Sequence, residues 1–300
     1  MNAIVIAIVT VAGIGLLAGL LLAVLSKVMA VPVDETAQAI EEVLPGTNCG
    51  SCGFSGCSGY AAALSAGKTT ETGLCNPGGS EVSAKIAEIM GLAASEITPM
   101  TAVVLCNGTE DKAERKMVYE GVASCKMAAQ LFGGEKSCVY GCLGFGDCVS
   151  QCPYHAIKLC GGVAVVDYEL CRACGVCVAT CPKKLIELIP KNKVSAAVLC
   201  KNRDKGVMTM KECAVACIGC MKCVKTCEFD AVKVEGNVAH VDPAKCAACG
   251  KCADNCPKHV IEMLTFGGCA GERVGSTAPR AVSVRSHRSE VDTCTKGFYG

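Results

Sequence analysis

The chain has 300 residues, a formal net charge of +1, 27 cysteines, no tryptophan and 4% aromatic residues. A near-neutral balance gives no electrostatic support for nucleic-acid binding, and an odd cysteine count rich in C-x2-C spacings argues against a disulfide framework. Length predicts two or three domains, and with so few aromatics metal ligation must help apolar burial to hold them.

The chain opens on an uncharged, almost wholly apolar run from Ala3 to Leu25, with Gly13, Gly15 and Gly19 interspersed. At 1.5 Å per residue it spans roughly 35 Å, enough for a hydrocarbon core of about 30 Å. A cleaved signal peptide would carry a basic n-region and a shorter apolar run of roughly 7–15 residues. A transmembrane anchor over 1–30 is therefore expected, its glycines allowing close approach of another helix. No Lys or Arg precedes the span and Lys27 follows it. This predicts a single-pass protein of the cell membrane with its body in the cytoplasm, where cysteines stay reduced.

Residues 31–98 form the next segment. An acidic amphipathic stretch (Asp34, Glu35, Glu41 and Glu42 around Ile40, Val43 and Leu44) predicts a helix ending near Pro45. Cys49-x2-Cys52-x4-Cys57 follows, with Cys75 further on, and Gly46, Gly50, Gly53 and Gly56 allow the backbone to curl around a metal. Zinc also takes four cysteines, usually as two separated pairs; three ligands this close together favour a [4Fe–4S] cluster. A helix capped by Ser80 and running to Ala94, with Val82, Ile86 and Ile89 on one face, is expected to cover this module.

The remainder is a tandem duplication. Cys125, Cys138, Cys142, Cys148, Cys152, Cys171, Cys174, Cys177 and Cys181 recur 75 positions later as Cys200, Cys213, Cys217, Cys223, Cys227, Cys246, Cys249, Cys252 and Cys256. Asp167 and Gly175 recur likewise as Asp242 and Gly250. Each copy carries the bacterial two-cluster ferredoxin spacing C-x2-C-x2-C-x3-C twice, complete in the second copy through Cys220. Short apolar runs such as Val163–Val166 and Val260–Ile261 predict half-buried strands. The expected class is α+β: an N-terminal transmembrane helix, a small 4Fe–4S module and two tandem βαββαβ ferredoxin units. These units span 99–190, with a lead-in, and 191–269, and a loose tail is expected over 270–300.

In such units the fourth cysteine serves the other cluster. This predicts the sets Cys171, Cys174, Cys177 with Cys152; Cys217, Cys220, Cys223 with Cys256; and Cys246, Cys249, Cys252 with Cys227. Cys142, Cys148 and Cys181 form the remaining set. Phe145 stands there where the second copy has Cys220, and Cys138 is the expected substitute. Cys227 is followed by Glu228 where its counterparts have Pro. The expectation is thus five [4Fe–4S] clusters. Cys106, Cys125, Cys200 and Cys213 are candidate extra ligands, since Val104–Leu105–Cys106 echoes Val198–Leu199–Cys200. Cys160, Cys269 and Cys294 read as buried thiols.

The order of motifs resembles the B subunit of the Rnf complex over roughly residues 1–265. The likeness rests on GTNCGSCGFSGC (46–57), CNPGG (75–79) and CVYGCLGFGDC (138–148); the first of these is also similar to a module of corrinoid iron–sulfur proteins. The resemblance implies a membrane complex that oxidises reduced ferredoxin, reduces NAD and pumps Na+ or H+. Within that translocase the chain would be an electron carrier without a catalytic site, partnered by other membrane and flavin-bearing subunits and fed by soluble ferredoxin. No strand–GxGxxG–helix unit of a nicotinamide or flavin site is present in the sequence. A membrane-anchored polyferredoxin feeding a different reductase is the alternative, and a structural zinc protein a third reading. His155, His240, His259 and His287 read as surface or turn residues. The Lys and Arg between Lys183 and Lys205 read as a solvated linker surface, or as a docking patch for an acidic ferredoxin centred on Lys191, Lys193 and Lys201.

Overall fold

The computed structural model describes residues 2–28, 34–192 and 194–266. The expected tail over 270–300, with Cys269, Cys294 and His287, lies outside them, as does Lys193. Helix α1 (Asn2–Val28) is apolar along its length, and its stretch Ile8–Ser26 is long and apolar enough to cross a membrane. Its described side chains touch little else: Leu16 is 74% and Leu17 69% exposed. So much bare apolar surface suits lipid or a partner's helices.

Three helices build the module that follows. In α2 (Glu35–Val43) the Asp34 carboxylate accepts from the amides of Thr36 and Ala37, satisfying donors that the first turn leaves unpaired. Helices α3 (Cys57–Ser65) and α4 (Gly79–Met90) pack against it. Ile40, Tyr60, Leu64 and Ile86 meet in one fully buried core. Ser80 does not cap α4: the cap residue is Gly78, and the helix stops at left-handed Gly91, short of Ala94. Ile89, expected on the buried face with Ile86, is exposed.

Mixed helix and strand make up the rest. Strand β1 (Met100–Val104) leads to the short helices α5 (Cys125–Gln130) and α6 (Asp147–Ser150). The hairpin β2 (Ile157–Cys160) and β3 (Val163–Val166), helix α7 (Val176–Thr180) and strand β4 (Ile186–Pro190) follow. β4 returns antiparallel to β1, with Val104 opposite Ile186. The order then recurs as β5 (Ser195–Val198), α8 (Gly206–Glu212), α9 (Lys222–Thr226), β6 (Val232–Glu235), β7 (Val238–Val241), α10 (Lys251–Asp254) and β8 (Ile261–Leu264). Here β8 returns to β5. Both hairpins turn on two left-handed residues, Gly161–Gly162 (φ 53° and 72°) and Gly236–Asn237 (φ 55° and 65°), matching the twist of the strands.

The gapless alignment of the two copies fails near its start. Val104–Leu105–Cys106 closes β1 as Val198–Leu199–Cys200 closes β5, so Cys106 and not Cys125 is the positional counterpart of Cys200. Those two cysteines lie 94 apart, whereas Cys142 and Cys217 lie 75 apart, so the first copy carries 19 additional residues between β1 and Cys138. Helix α5 lies in that longer connection. The two units also share apolar contact, with Val103 and Leu105 packed against Leu264 and Phe266.

Since the core around Ile86 is separate from those of the later segments, Ile86→Ala should destabilise residues 34–91 alone. The expected loss is about 2–5 kcal/mol, read as faster proteolysis within that segment with cleavage of residues 100–266 unchanged.

Candidate metal centres

The described chain brings 24 unbridged cysteine thiols into six groups of four. The N-terminal group is Cys49, Cys52, Cys57 and Cys75. Asn48 organises it: its backbone is left-handed (φ 48°) and its carboxamide oxygen accepts from the Cys57 amide at 2.8 Å. A Cβ at Gly56 would stand 2.8 Å from that oxygen, so glycine is required there. Burial pushes the Cys75 thiol up to about 11, and Cys57, Cys49 and Cys52 add to the effect.

Cys152, Cys171, Cys174 and Cys177 make the second group. Burial, then proximity to the other three, pushes the Cys177 thiol up to about 12. The third group lines a hollow and consists of Cys125, Cys142, Cys148 and Cys181. Here the structure corrects the sequence reading: Cys125 stands where Cys138 was expected. Its position comes from α5, whose first turn is held by Asp147 on α6. That carboxylate accepts from Ser124 Oγ (2.9 Å), the Cys125 amide (3.0 Å) and the Lys126 amide (3.2 Å). Burial opposes ionisation of Asp147, but these hydrogen bonds outweigh it and hold its pKa below the ordinary range. The clamp is thus intact above about pH 3.9 and is lost only as pH falls through the lowered value.

Cys138 instead joins Cys106, Cys200 and Cys213 around a hollow between the two units. This fourth group takes two cysteines from each copy. Local spacing could not reveal it, because its members come from four separated segments. The signals in the sequence are the echo between Val104–Leu105–Cys106 and Val198–Leu199–Cys200 and the recurrence of Cys138 as Cys213. The fifth group, Cys217, Cys220, Cys223 and Cys256, and the sixth, Cys227, Cys246, Cys249 and Cys252, each line a hollow of their own.

The groups form a series. Thr47 and Tyr154 share a 2.7 Å hydrogen bond beside the first and second groups, where the Cys174 and Cys49 thiols influence each other. Cys148 and Cys177 link the second to the third. The Cys142 amide donates to Cys106 Sγ at 3.4 Å, linking the third to the fourth. The matching bond from the Cys217 amide to Cys200 links the fourth to the fifth. Cys223 and Cys252 connect the fifth to the sixth.

Six non-glycine residues hold left-handed backbone conformations at matching places in the two copies: His155 and Asp230, Ala173 and Ala248, Lys184 and His259, with φ from 47° to 56°. Each lies two or three residues after a cysteine of a group, which locates the backbone strain in the cysteine loops. His155, His240 and His259 are exposed. The expected basic patch is not a free row of cations. Lys201 is ion-paired with Glu187, and Lys191 donates to the Tyr168 carbonyl at 2.7 Å.

What these groups can hold follows from their donors and spacing. Among the described residues no three His, Cys, Asp or Glu side chains converge closely enough for a single metal ion. The cysteines of four groups line hollows instead. Four cysteines around each site suit a polynuclear iron–sulfur cluster held by four thiolates.

Family models agree with this chemistry. One described as a putative Fe–S cluster matches residues 44–77, a 4Fe–4S binding domain matches 164–187 and a 4Fe–4S dicluster domain matches 216–260. The chain is 40% identical over 262 residues to the B subunit of the Na+-translocating ferredoxin:NAD+ oxidoreductase complex of Acetobacterium woodii, covering 87% of this chain and 78% of that one. It is 39% identical to the B subunit of the proton-translocating ferredoxin:NAD+ oxidoreductase complex of Clostridium ljungdahlii, covering 89% and 95%. To the B subunit of the ion-translocating oxidoreductase complex of Methanosarcina acetivorans it is 36% identical, covering 84% and 95%. With cysteine-rich 4Fe–4S domains behind an N-terminal apolar helix and likeness along nearly its whole length, the chain belongs to the family of B subunits of ion-translocating (Rnf) oxidoreductase complexes.

Proposed function

We infer that each of the six cysteine groups binds one [4Fe–4S] cluster, and that the chain is the electron-relay subunit of a membrane complex passing electrons from reduced ferredoxin toward NAD, coupled to Na+ or H+ translocation. The observation that carries this reading is the series: six four-thiol groups, each hydrogen-bonded to the next or within its electrostatic reach, running from the module that follows α1 in the chain to the end of the second unit. A bound cluster supplies one-electron redox chemistry, so no side chain has to act as acid, base or nucleophile. The protein holds the sulfurs at fixed spacing, excludes water and donates hydrogen bonds to sulfur.

Six clusters replace the five expected from spacing alone, with Cys125 completing the third site and Cys106, Cys138, Cys200 and Cys213 forming the fourth. On this reading residues 99–190 and 191–269 are tandem two-cluster ferredoxin units of βαββαβ order, the first with a longer lead-in. The cluster-bearing body lies in the cytoplasm, and flavin-bearing and other membrane subunits receive the electrons. Soluble ferredoxin donates at the second unit, where Cys220 and Cys249 are exposed.

Purified full-length protein should contain ~24 irons, six clusters of four. Cys125→Ala and Cys138→Ala should each remove ~4 irons, and the double variant ~8. Retention of all iron in Cys125→Ala would return that role to Cys138. Cross-linking to reduced ferredoxin should label exposed Lys222, Lys225 and Lys251; labelling confined to Lys68 and Lys85 would place entry at the other end. Protease added to right-side-out vesicles should leave residues 34–266 intact, whereas digestion there would reverse the orientation.

A further inference from the structure

The fourth group, between the two units, differs from the others in its electrostatic surroundings. Lys136 lines its hollow and is 6% exposed, the one buried Lys, Arg, Asp or Glu among the described residues. Its ammonium donates to the carbonyl oxygens of Gly108 (2.8 Å) and Gly162 (3.0 Å). Among the described residues it has no carboxylate partner. A buried ammonium so placed is costly unless negative charge lies beside it.

Lysines also line other hollows, namely Lys183, Lys222, Lys251 and Lys258. All of them are half-buried or exposed, so water and salt screen their charge. Lys201 lines the fourth hollow as well, but its charge is paired with Glu187. Lys112 also acts on the Cys213 thiol, from a half-buried position.

Hydrogen bonds to sulfur add to the effect of Lys136. Asn202 is 1% exposed. Its Nδ2 donates to Cys138 Sγ and its amide to Cys200 Sγ, both at 3.5 Å, while the Cys142 amide donates to Cys106 Sγ. One negative group opposes them: Glu212, half-buried, accepts from Asn202 Nδ2 at 2.7 Å and acts on Cys138.

We propose that Lys136 makes the Cys106–Cys138–Cys200–Cys213 site the highest-potential station of the series, where an electron rests between the two units. The proposal depends on the reading above that this group binds a [4Fe–4S] cluster. With four thiolates such a site carries a net charge of about 2− when oxidised and about 3− when reduced. A buried cation stabilises the more negative state most. Reduction adds one electron here and removes one from the neighbouring group; no bond forms or breaks and no proton moves. The duplication supplies a control. Lys211 stands 75 positions after Lys136, yet it is exposed.

The test is a redox titration of purified full-length protein followed by electron paramagnetic resonance, with iron assayed in parallel. Cys213→Ala should remove ~4 irons and, with them, the first signal to appear as the potential is lowered. Lys136→Met should keep its iron and shift that signal's midpoint downward. The expected size is about a tenfold change in the reduced-to-oxidised ratio at fixed potential, which is about 59 mV for a one-electron couple. Glu212→Gln should shift the midpoint upward and Lys211→Met should leave it in place. Loss of packing would not give opposite shifts. If Cys213→Ala loses iron but keeps the first signal, the ranking is wrong while the cluster reading stands. If it loses no iron, the cluster reading of this group fails. An unmoved midpoint in Lys136→Met, or an equal shift in Lys211→Met, overturns the role of Lys136; Lys136→Gln replaces the Met variant should that one not fold.

Discussion

Four cysteine sulfurs cannot be packed together as thiolates in a dry interior without a multiply charged cation among them. Burial, reinforced by the neighbouring cysteines, drives Cys148, Cys177 and Cys200 up to about 12, which holds their protons against free thiolate formation. Binding iron and sulfide must strip those protons, and the free energy of ligation is then also free energy of folding. The rest of the architecture follows from this coupling. Cysteines are integral members of the two unit cores, alongside Val, Ala and Ile. Helices α6, α7, α9 and α10 are only four or five residues long, far too short to persist alone. Each has only to present one sulfur at the right place, and ligation supplies the stability that a larger apolar core would otherwise provide.

Crossed grouping explains why the strands pair as they do. Cys181 precedes β4 yet stands with Cys142 and Cys148, while Cys152 precedes β2 yet stands with the Cys171–Cys177 loop. The segment between β1 and β4 must therefore fold back on itself, which the antiparallel return of β4 to β1 accomplishes. The same constraint sets the series, because each unit holds its two groups side by side. Each unit's nearest group is tied to the shared fourth group by an amide: Cys142 to Cys106 in the first unit, Cys217 to Cys200 in the second.

Much of this was legible from spacing, and the places where it was not share one cause. Groups drawn from cysteines two to five apart announce themselves, since the loop between them is part of the site. Cys138, four residues before Cys142, looked local in the same way. What decides between it and Cys125 is the clamp of Asp147 on the first turn of α5, a contact across 22 residues that no spacing rule contains. The gapless 75-residue match made Cys125 look like the partner of Cys200. The shorter echo ending at Cys106 competed with it, and the strand register favours the echo. The basic run beyond Lys183 is hard to read from sequence for a related reason. Charge density along the chain does not tell which ammonium groups are already bonded to Glu187 or to a carbonyl.

The extra residues of the first copy bear on more than a missing ligand. An exact duplication would give the central group a two-fold environment, with equal charge on its two sides and no preference between units. The longer connection breaks that symmetry. Lys136, just before Cys138, is drawn under the β2–β3 hairpin by the Gly162 carbonyl, whereas Lys211, just before Glu212 and Cys213, ends helix α8 in solvent. Glu212 has Ser137 as its counterpart in the first copy, so the negative charge also falls on one side only. A relay built from two similar halves thus acquires an electrostatic direction at its midpoint, set by which of two equivalent lysines is buried.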